Sequence, residues 1–174
     1  MASDFSSKLA LTCKTVHVED LASGFATRST SPTFRYQKQL AEGTGVNQAD
    51  LVYSWKGNAA AAGGEDWDLK STGTGDHDMG ALEGDADFAK IKRIMVANLA
   101  DPDTDPTHII EVEKGAANGF DAPWGTGTLE VAPGGCLVMD NPLGWTVDAT
   151  HKTLNVEAQA GTPEFELIII GDET

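Results

Sequence analysis

Hydrophobic and polar residues alternate through the last third of the chain. The alternation runs through residues 128–132, 136–139, 144–148, 152–159 and 164–170, and Gly, Pro or Asn residues separate these segments. Successive side chains of a strand point to opposite faces, so a period of two predicts half-buried strands. Pro fixes φ and lacks an N–H, while Gly tolerates positive φ, so the breaks have the composition of turns. Short strands at this spacing predict an antiparallel sandwich or barrel.

The middle of the chain continues the pattern, with one ambiguous element. Residues 51–56, 65–70 and 108–113 alternate in the manner of strands. Residues 88–99 fit both a helical stripe and a strand, because short apolar runs of this kind are not settled by periodicity. A strand is favoured there, since the segment has no good helix caps and its surroundings are β. The Asp-Pro pairs of residues 101–106 predict a loop.

The first fifty residues differ from the rest. Their apolar periodicity is weaker, and they contain Ser-, Thr- and Gly-bearing stretches. We therefore expect an extended N-terminal arm over residues 1–50 that contacts a partner, and a β-sandwich domain over residues 51–174. The predicted fold is all-β: an antiparallel, jelly-roll-like sandwich with an extended arm.

The chain is strongly acidic. It has 12 Lys and Arg against 27 Asp and Glu, a formal net charge of −15. Such a surface repels phosphate backbones and anionic lipid headgroups, so neither nucleic acid nor membrane is an expected partner. Its apolar runs are shorter than the core of a secretory signal or the roughly 20 residues of a membrane span. The charge fits either simple solubility or a partner with a basic face or bound cations.

Two acidic segments are candidate metal sites. Asp101, Asp103 and Asp105 resemble the start of a calcium loop, but the sixth position is Pro106 and the twelfth is Val112. An EF-hand loop needs Gly and Glu there, so that interpretation fails. A looser calcium site in residues 101–106 or 71–87 stays open beside a solvated turn.

The triplet Asp76-His77-Asp78 has residue types that bind zinc or iron, but no third ligand is tied to it. The chain has no Gly-Lys-[Ser/Thr] phosphate loop and no Gly-x-Ser-x-Gly elbow. Its many carboxylates do not single out a glycosidase pair. Cys13 and Cys136 are interpreted as reduced core thiols, with a disulfide between them as the alternative. We therefore assign no catalytic, cofactor-binding or metal-binding residue and expect no enzyme activity.

Four tryptophans offer a different chemistry, because aromatic faces stack on sugar rings. Trp55 and Trp145 lie in alternating strands, where core packing is the better interpretation. Trp124, between Pro123 and Gly125, is the best candidate for an exposed ring. It serves equally as a sugar platform or an interface anchor.

Three blocks resemble small structural proteins of tailed bacteriophages, namely capsid decoration (cement) proteins and related head or fibre components. The blocks are FAKIKRIMVA at residues 88–97, TGTLEVAPGGCLVMDNPLGWTV at residues 126–147 and TPEFELIIIG at residues 162–171. In that group a V-x-P-G-G turn precedes an apolar strand, then a Gly-Trp strand and an Ile-rich final strand. The resemblance covers about two-thirds of the chain and excludes residues 1–50.

The resemblance implies a non-enzymatic virion protein that is made in the host cytoplasm and binds the outer capsid surface, where it stabilises the shell. Its implied partners are the major capsid protein and further copies of itself, with a trimer favoured because rings close around symmetry axes. No cofactor is implied. The alternative is a β-sandwich carbohydrate-binding module of a phage fibre or cell-surface protein.

Overall fold

The computed structural model describes residues 6–14, 17–20, 27–30, 33–61, 63–70, 77–78 and 87–173. These residues contain no helix. The chain divides into two compact units, Met1–Ala41 and Glu42–Thr174. The strands are β1 (Ser6–Lys14), β2 (His17–Asp20), β3 (Thr27–Thr30), β4 (Thr33–Glu42), β5 (Gln48–Ala49), β6 (Leu51–Asn58), β7 (Glu65–Asp68), β8 (His77–Asp78), β9 (Phe88–Asn98), β10 (Ile110–Lys114), β11 (Leu129–Val131), β12 (Cys136–Thr146), β13 (Thr153–Ala158) and β14 (Glu164–Glu173).

The first unit is built from antiparallel ladders. Nine residues of β1 pair with β4, and four of β2 pair with β3. The two ladders share one register, because Lys14 pairs with Thr33 and His17 with Thr30. At about 3.3 Å per residue the outer ladder alone is about 30 Å long. In the described residues the two ladders therefore have the pairing of one long antiparallel hairpin, and the two-residue β5 adds a short third strand beside β4. Whether the first unit contacts a partner stays a prediction.

The second unit is a sandwich of two sheets, which confirms the predicted β-sandwich. One sheet has the order β11-β10-β13-β7-β8 and the other β12-β9-β14-β6. Neighbouring strands are antiparallel, except that β7 and β8 are parallel. Both sheets contribute to one core, because alternate residues of each strand face inward. Its members include Trp67, Ile110, Val112, Leu154 and Val156 from the first sheet and Ile94, Val96, Phe165, Leu167 and Ile169 from the second.

The ambiguous segment is a strand, as favoured, and the structure explains why it also fits a helix. Pairing of β9 with β14 skips a residue between Phe88 and Lys90 and another between Ile91 and Arg93. Each β-bulge reverses the alternation that follows it. As a result Phe88, Ile91 and Ile94 are all fully buried at a spacing of three. That spacing is the helical stripe seen in the sequence.

Two segments predicted as separate strands are one strand. Residues 136–139 and 144–148 were expected on either side of a turn at Asn141-Pro142-Leu143-Gly144, but β12 runs through it. The four residues lie in a register shift between Asp140 and Trp145, where β12 leaves β9 and returns to it. The expected break is thus a large bulge within one strand.

The predicted turn between β11 and β12 is confirmed. The backbone N–H of Gly135 donates to the carbonyl oxygen of Ala132 at 2.8 Å, and Gly134 has φ +69°. Pro133 at the second position and a positive φ at the third are the features of a type II turn. A side chain at Gly134 would be strained, which accounts for the Pro-Gly-Gly sequence.

Candidate interaction surfaces

The Asp101 loop, residues 101–106, is held by hydrogen bonds to its own backbone N–H groups. The Asp101 carboxylate accepts from the N–H of Asp103 at 2.9 Å, and the Asp101 carbonyl accepts from the N–H of Asp105 at 2.8 Å. The Asp105 carboxylate lies 3.6 Å from Nδ1 of His108. Within the described ranges no three His, Cys, Asp or Glu side chains are grouped to hold a metal ion. The loop prediction is confirmed, and this geometry is that of an Asx turn.

His77 is engaged in an aromatic contact. Its ring stacks on Trp67 at 4.5 Å and 15°, and its Nε2 lies 2.8 Å from Oε2 of Glu65. It lies in β8, within the segment 71–87 that was predicted as a surface loop. Asp76 lies outside the described residues, and only the backbone of Asp78 is described. The histidine therefore joins two strands of the five-stranded sheet.

Trp124 is half-buried, so its predicted exposure is wrong. Its ring packs against the core in edge contact with Phe120 at 6.2 Å. The cause is local, because the N–H groups of Trp124 and Gly125 both donate to the carbonyl of Asp121 and fold the segment back. The Trp124 indole nitrogen is buried without a hydrogen-bond partner.

The other tryptophans lie against the core. Trp67 is fully buried, and Trp55 and Trp145 are partly buried in contact with the core. The predicted packing of Trp55 and Trp145 is confirmed. Trp55 meets Trp67 edge to face at 5.5 Å, in a geometry that aromatic pairs prefer.

Cys136 is an exposed free thiol, so its prediction as a core residue is wrong. Leu137, the next residue of β12, packs against the core instead. Because adjacent side chains of a strand point to opposite faces, Cys136 faces outward. Partial desolvation raises the pKa of its thiol. The side chain of Cys13, in β1, lies outside the described part.

The outer face of the five-stranded sheet is acidic. Glu111 pairs with Glu130 on one side and with Glu157 on the other, so three carboxylates form a row across three strands. Gln159 donates to Glu111 at 2.6 Å and to Glu130 at 3.1 Å, which relieves part of the repulsion. Like charges directly opposite one another destabilise a sheet, so this row works against folding.

The four-stranded sheet carries two buried cations in the middle of β9. Lys92 is 1% exposed, and its ammonium lies 2.7 Å from Oδ1 of Asp172 and 2.5 Å from the carbonyl oxygens of Gly45 and Gln48. The next residue, Arg93, donates from Nε and a terminal nitrogen to Oδ1 of Asp140 at 3.0 and 2.8 Å. The Lys92 bulge allows adjacent charges to be buried, and residues 43–49 cover the lysine.

These ion pairs were missed from the sequence. The only signal is the three charges of the FAKIKRIMVA segment, of which Lys92 and Arg93 are adjacent, and alternation predicts at least one of that adjacent pair exposed. The sequence does not show where a bulge will form, so the burial of both Lys92 and Arg93 could not be predicted.

Among the residues that the structure describes, two carboxyl groups and one phenol have perturbed pKa values. Burial raises the pKa of Asp172, although Lys92 opposes the rise. Burial likewise raises the pKa of the Tyr53 phenol. Asp148 has its pKa lowered to about 2, because its carboxylate accepts from the N–H and hydroxyl of Thr150 and lies beside His151. The first two follow from desolvation of the charged form, and the third from hydrogen bonds to it.

The outer face of the four-stranded sheet carries both apolar and polar side chains. Met95 pairs with Val138 and Ile168, and Ile168 pairs with Ser54 at the sheet edge. Val52, also on the edge strand, is 45% exposed. A shallow depression of about 430 Å³ lies along this edge, lined by Ser54, Trp55, Lys56, Glu166 and Ile168.

No protein-family model, curated protein or solved structure matches the chain. Within its described residues there is no helix of the length and hydrophobicity that crossing a bilayer requires.

Proposed function

We propose that the protein is a non-enzymatic virion structural protein that decorates the outer surface of a tailed-phage capsid, associates with copies of itself and stabilises the shell. Its partner is the major capsid protein. No substrate or cofactor takes part, and the function resides in surfaces.

The observation that carries this proposal is the hairpin of the first unit. Two antiparallel ladders, β1 with β4 and β2 with β3, lie in a compact unit distinct from the sandwich. The first ladder pairs apolar residue types, with Leu11 opposite Tyr36 and Cys13 opposite Phe34. A two-stranded hairpin is only marginally stable in water by itself. A ribbon of this kind gains stability when another surface covers it, as a neighbouring subunit on a shell would.

The sandwich supports the same proposal. Its core draws on both sheets, which makes a rigid body suited to repeated placement on a lattice. Its acidic row of Glu111, Glu130 and Glu157 keeps free copies from adhering to DNA. A packed body and a charged surface are sufficient for this role, which needs no catalysed reaction.

The carbohydrate-binding alternative depended on an exposed Trp124. The ring is half-buried in edge contact with Phe120, so it is a poorer sugar platform than a fully exposed ring.

The test is binding to undecorated capsids of a phage whose genome encodes the chain. Purified protein should co-sediment with these capsids to saturation and raise the temperature at which they release DNA. A variant without residues 1–41 should keep a cooperative melt of the sandwich and bind more weakly.

Two results would contradict the proposal. Absence of co-sedimentation at saturating protein would reject capsid decoration altogether. Unchanged affinity of the truncated variant would reject the hairpin as the contacting element and leave only the sandwich faces.

A further inference from the structure

The sandwich has four sheet edges, and three of them are protected. Within the described residues β11 has three residues and β8 has two, so neither offers a long ladder there. β12 is interrupted by the bulge at residues 141–144, which contains Pro142, and Pro142 accepts a hydrogen bond from Asn47. Short strands, bulges and prolines are the devices by which proteins prevent edge-to-edge association.

The fourth edge, β6, has none of these devices. It pairs with β14 through eight consecutive residues without a register shift and contains no proline. Its single charged residue is Lys56, whose half-exposed side chain lies 3.5 Å from Glu164 and 3.9 Å from Glu166 on β14 and remains open to a further carboxylate. The long unprotected edge therefore has the form of a surface that is covered when the protein functions.

The pairing of β6 with β14 shows which backbone N–H and C=O groups of β6 face the open edge. The N–H of Ala59 donates to the carbonyl of Pro163, in register with the odd-numbered residues of β6. Alternate residues of an antiparallel strand direct their backbone groups to opposite sides. Val52, Ser54 and Lys56 therefore direct theirs outward. In the part of the chain that is described, no strand pairs with that side.

We infer that β6 pairs with β6 of a second copy, antiparallel and about a two-fold axis, so that two four-stranded sheets become one of eight. Such a contact is self-complementary, because both copies offer the same donors and acceptors. The register that sets Val52 opposite Ser54 satisfies the outward groups of both residues. It also sets exposed Lys56 opposite exposed Asp50, whose carboxylate accepts one hydrogen bond from the N–H of Glu173 at 2.8 Å. Opposite charges across strands are favourable. This inference does not depend on the capsid role, and it sets a two-fold dimer in place of the trimer that the resemblance implied.

The first test removes the outward N–H. In Ser54→Pro the lost donor lies on the free edge, so the ladder with β14 is kept. Ser54→Ala is the matched control, since it keeps the N–H. Sedimentation equilibrium of the full chain should give a dimer for the parent and Ser54→Ala. Ser54→Pro should weaken the dimer at least tenfold and melt within a few degrees of Ser54→Ala.

The second test uses charge and stays informative if Ser54→Pro fails to fold. Lys56→Glu should weaken the dimer several-fold, and the double variant Lys56→Glu/Asp50→Lys should restore it. Lys114→Glu, an exposed position on the other sheet, makes the same change of net charge and should leave the dimer intact. The inference is overturned by a parent that is monomeric at all concentrations, by a trimer, or by a dimer insensitive to both folded Ser54→Pro and Lys56→Glu.

Discussion

At the scale of single residues, the least expected feature is the buried Lys92. Its ammonium is held by the carboxylate of Asp172 and by carbonyl oxygens of residues 43–49. Removing one partner of a buried pair leaves the other charge uncompensated, which costs about 3–5 kcal/mol. We expect Lys92→Met to lower the free energy of unfolding by about that amount in urea titrations.

The Lys92 prediction has a control and a coupling test. The exposed Lys114→Met should change stability by less than about 0.5 kcal/mol. Adding Asp172→Asn to Lys92→Met removes the orphaned charge, so the double variant should be more stable than Lys92→Met alone. A double variant that is less stable by the sum of both changes would show that the two groups are not coupled.

Asp148 gives a prediction about pH. Its pKa is lowered to about 2, against about 3.9 for an ordinary aspartate, because Thr150 donates twice to its ionised form. A carboxyl with a lowered folded-state pKa stabilises the fold above its unfolded value, and this stabilisation is lost as pH falls from about 4 to about 2. NMR titration of the carboxyl carbon should show the low midpoint.

The control for Asp148 is Thr150→Val, which removes the hydroxyl and keeps the N–H. Its Asp148 midpoint should lie between about 2 and the ordinary value. Asp148→Asn should flatten the dependence of unfolding free energy on pH in that window. An ordinary midpoint in the parent would refute the hydrogen-bond explanation.

At the scale of elements, the bulges of β9 decide which substitutions the neighbouring strand β14 tolerates. Gly171 of β14 pairs with Ile91 beside the Lys92 bulge, and a Cβ there would overlap the carbonyl oxygen of Lys90. Overpacking against backbone costs about 1–3 kcal/mol or more. Gly171→Ala should therefore destabilise by at least that amount in a urea titration. At the matched Gly127, a Cβ would come no nearer than 3.8 Å to Trp124, so Gly127→Ala should be nearly neutral.

For the acidic row of β10, β11 and β13 we expect the opposite effect, because removing a charge there should stabilise the protein. Glu111 is flanked by Glu130 and Glu157 on adjacent strands, and like charges so placed are destabilising by about 0.2–1 kcal/mol. Glu111→Gln should stabilise the protein by about that amount in low salt, and by less in 0.5 M NaCl. Glu166→Gln, which loses the Lys56 partner, should not stabilise it. Destabilisation by Glu111→Gln would mean that its bond to Gln159 outweighs the repulsion.

The same elements show where sequence reasoning succeeds and where it stops. Period-two alternation located the strands of the core, because burial on one face imposes it. It failed wherever a bulge changed the parity or crossed a predicted turn, as in β9 and β12. The exposure of Cys136 and the burial of Arg93 are both consequences of strand parity and pairing. Neither the edges nor the acidic row could be predicted, since both depend on which strands become neighbours.

At the scale of the whole molecule, net charge opposes the association of two copies, and the backbone groups along β6 favour it. Each copy carries a formal net charge of −15, so two copies that approach through β6 repel one another. Against this stand the backbone bonds of the edge and two Lys56–Asp50 pairs. Salt screens long-range repulsion, with a Debye length of about 10 Å at 0.1 M and about 3 Å at 1 M. Backbone hydrogen bonds are little affected by such screening.

The net repulsion involves many charges and the attractive pairs only two, so salt should favour association. We expect the dimer dissociation constant to fall several-fold between 0.05 and 0.5 M NaCl, measured by sedimentation equilibrium. In Lys56→Glu, which carries two more negative charges per copy, the fall should be steeper. Weaker association of the parent in high salt would mean that local ion pairs dominate the contact, and would contradict the view that the backbone edge holds the two copies together.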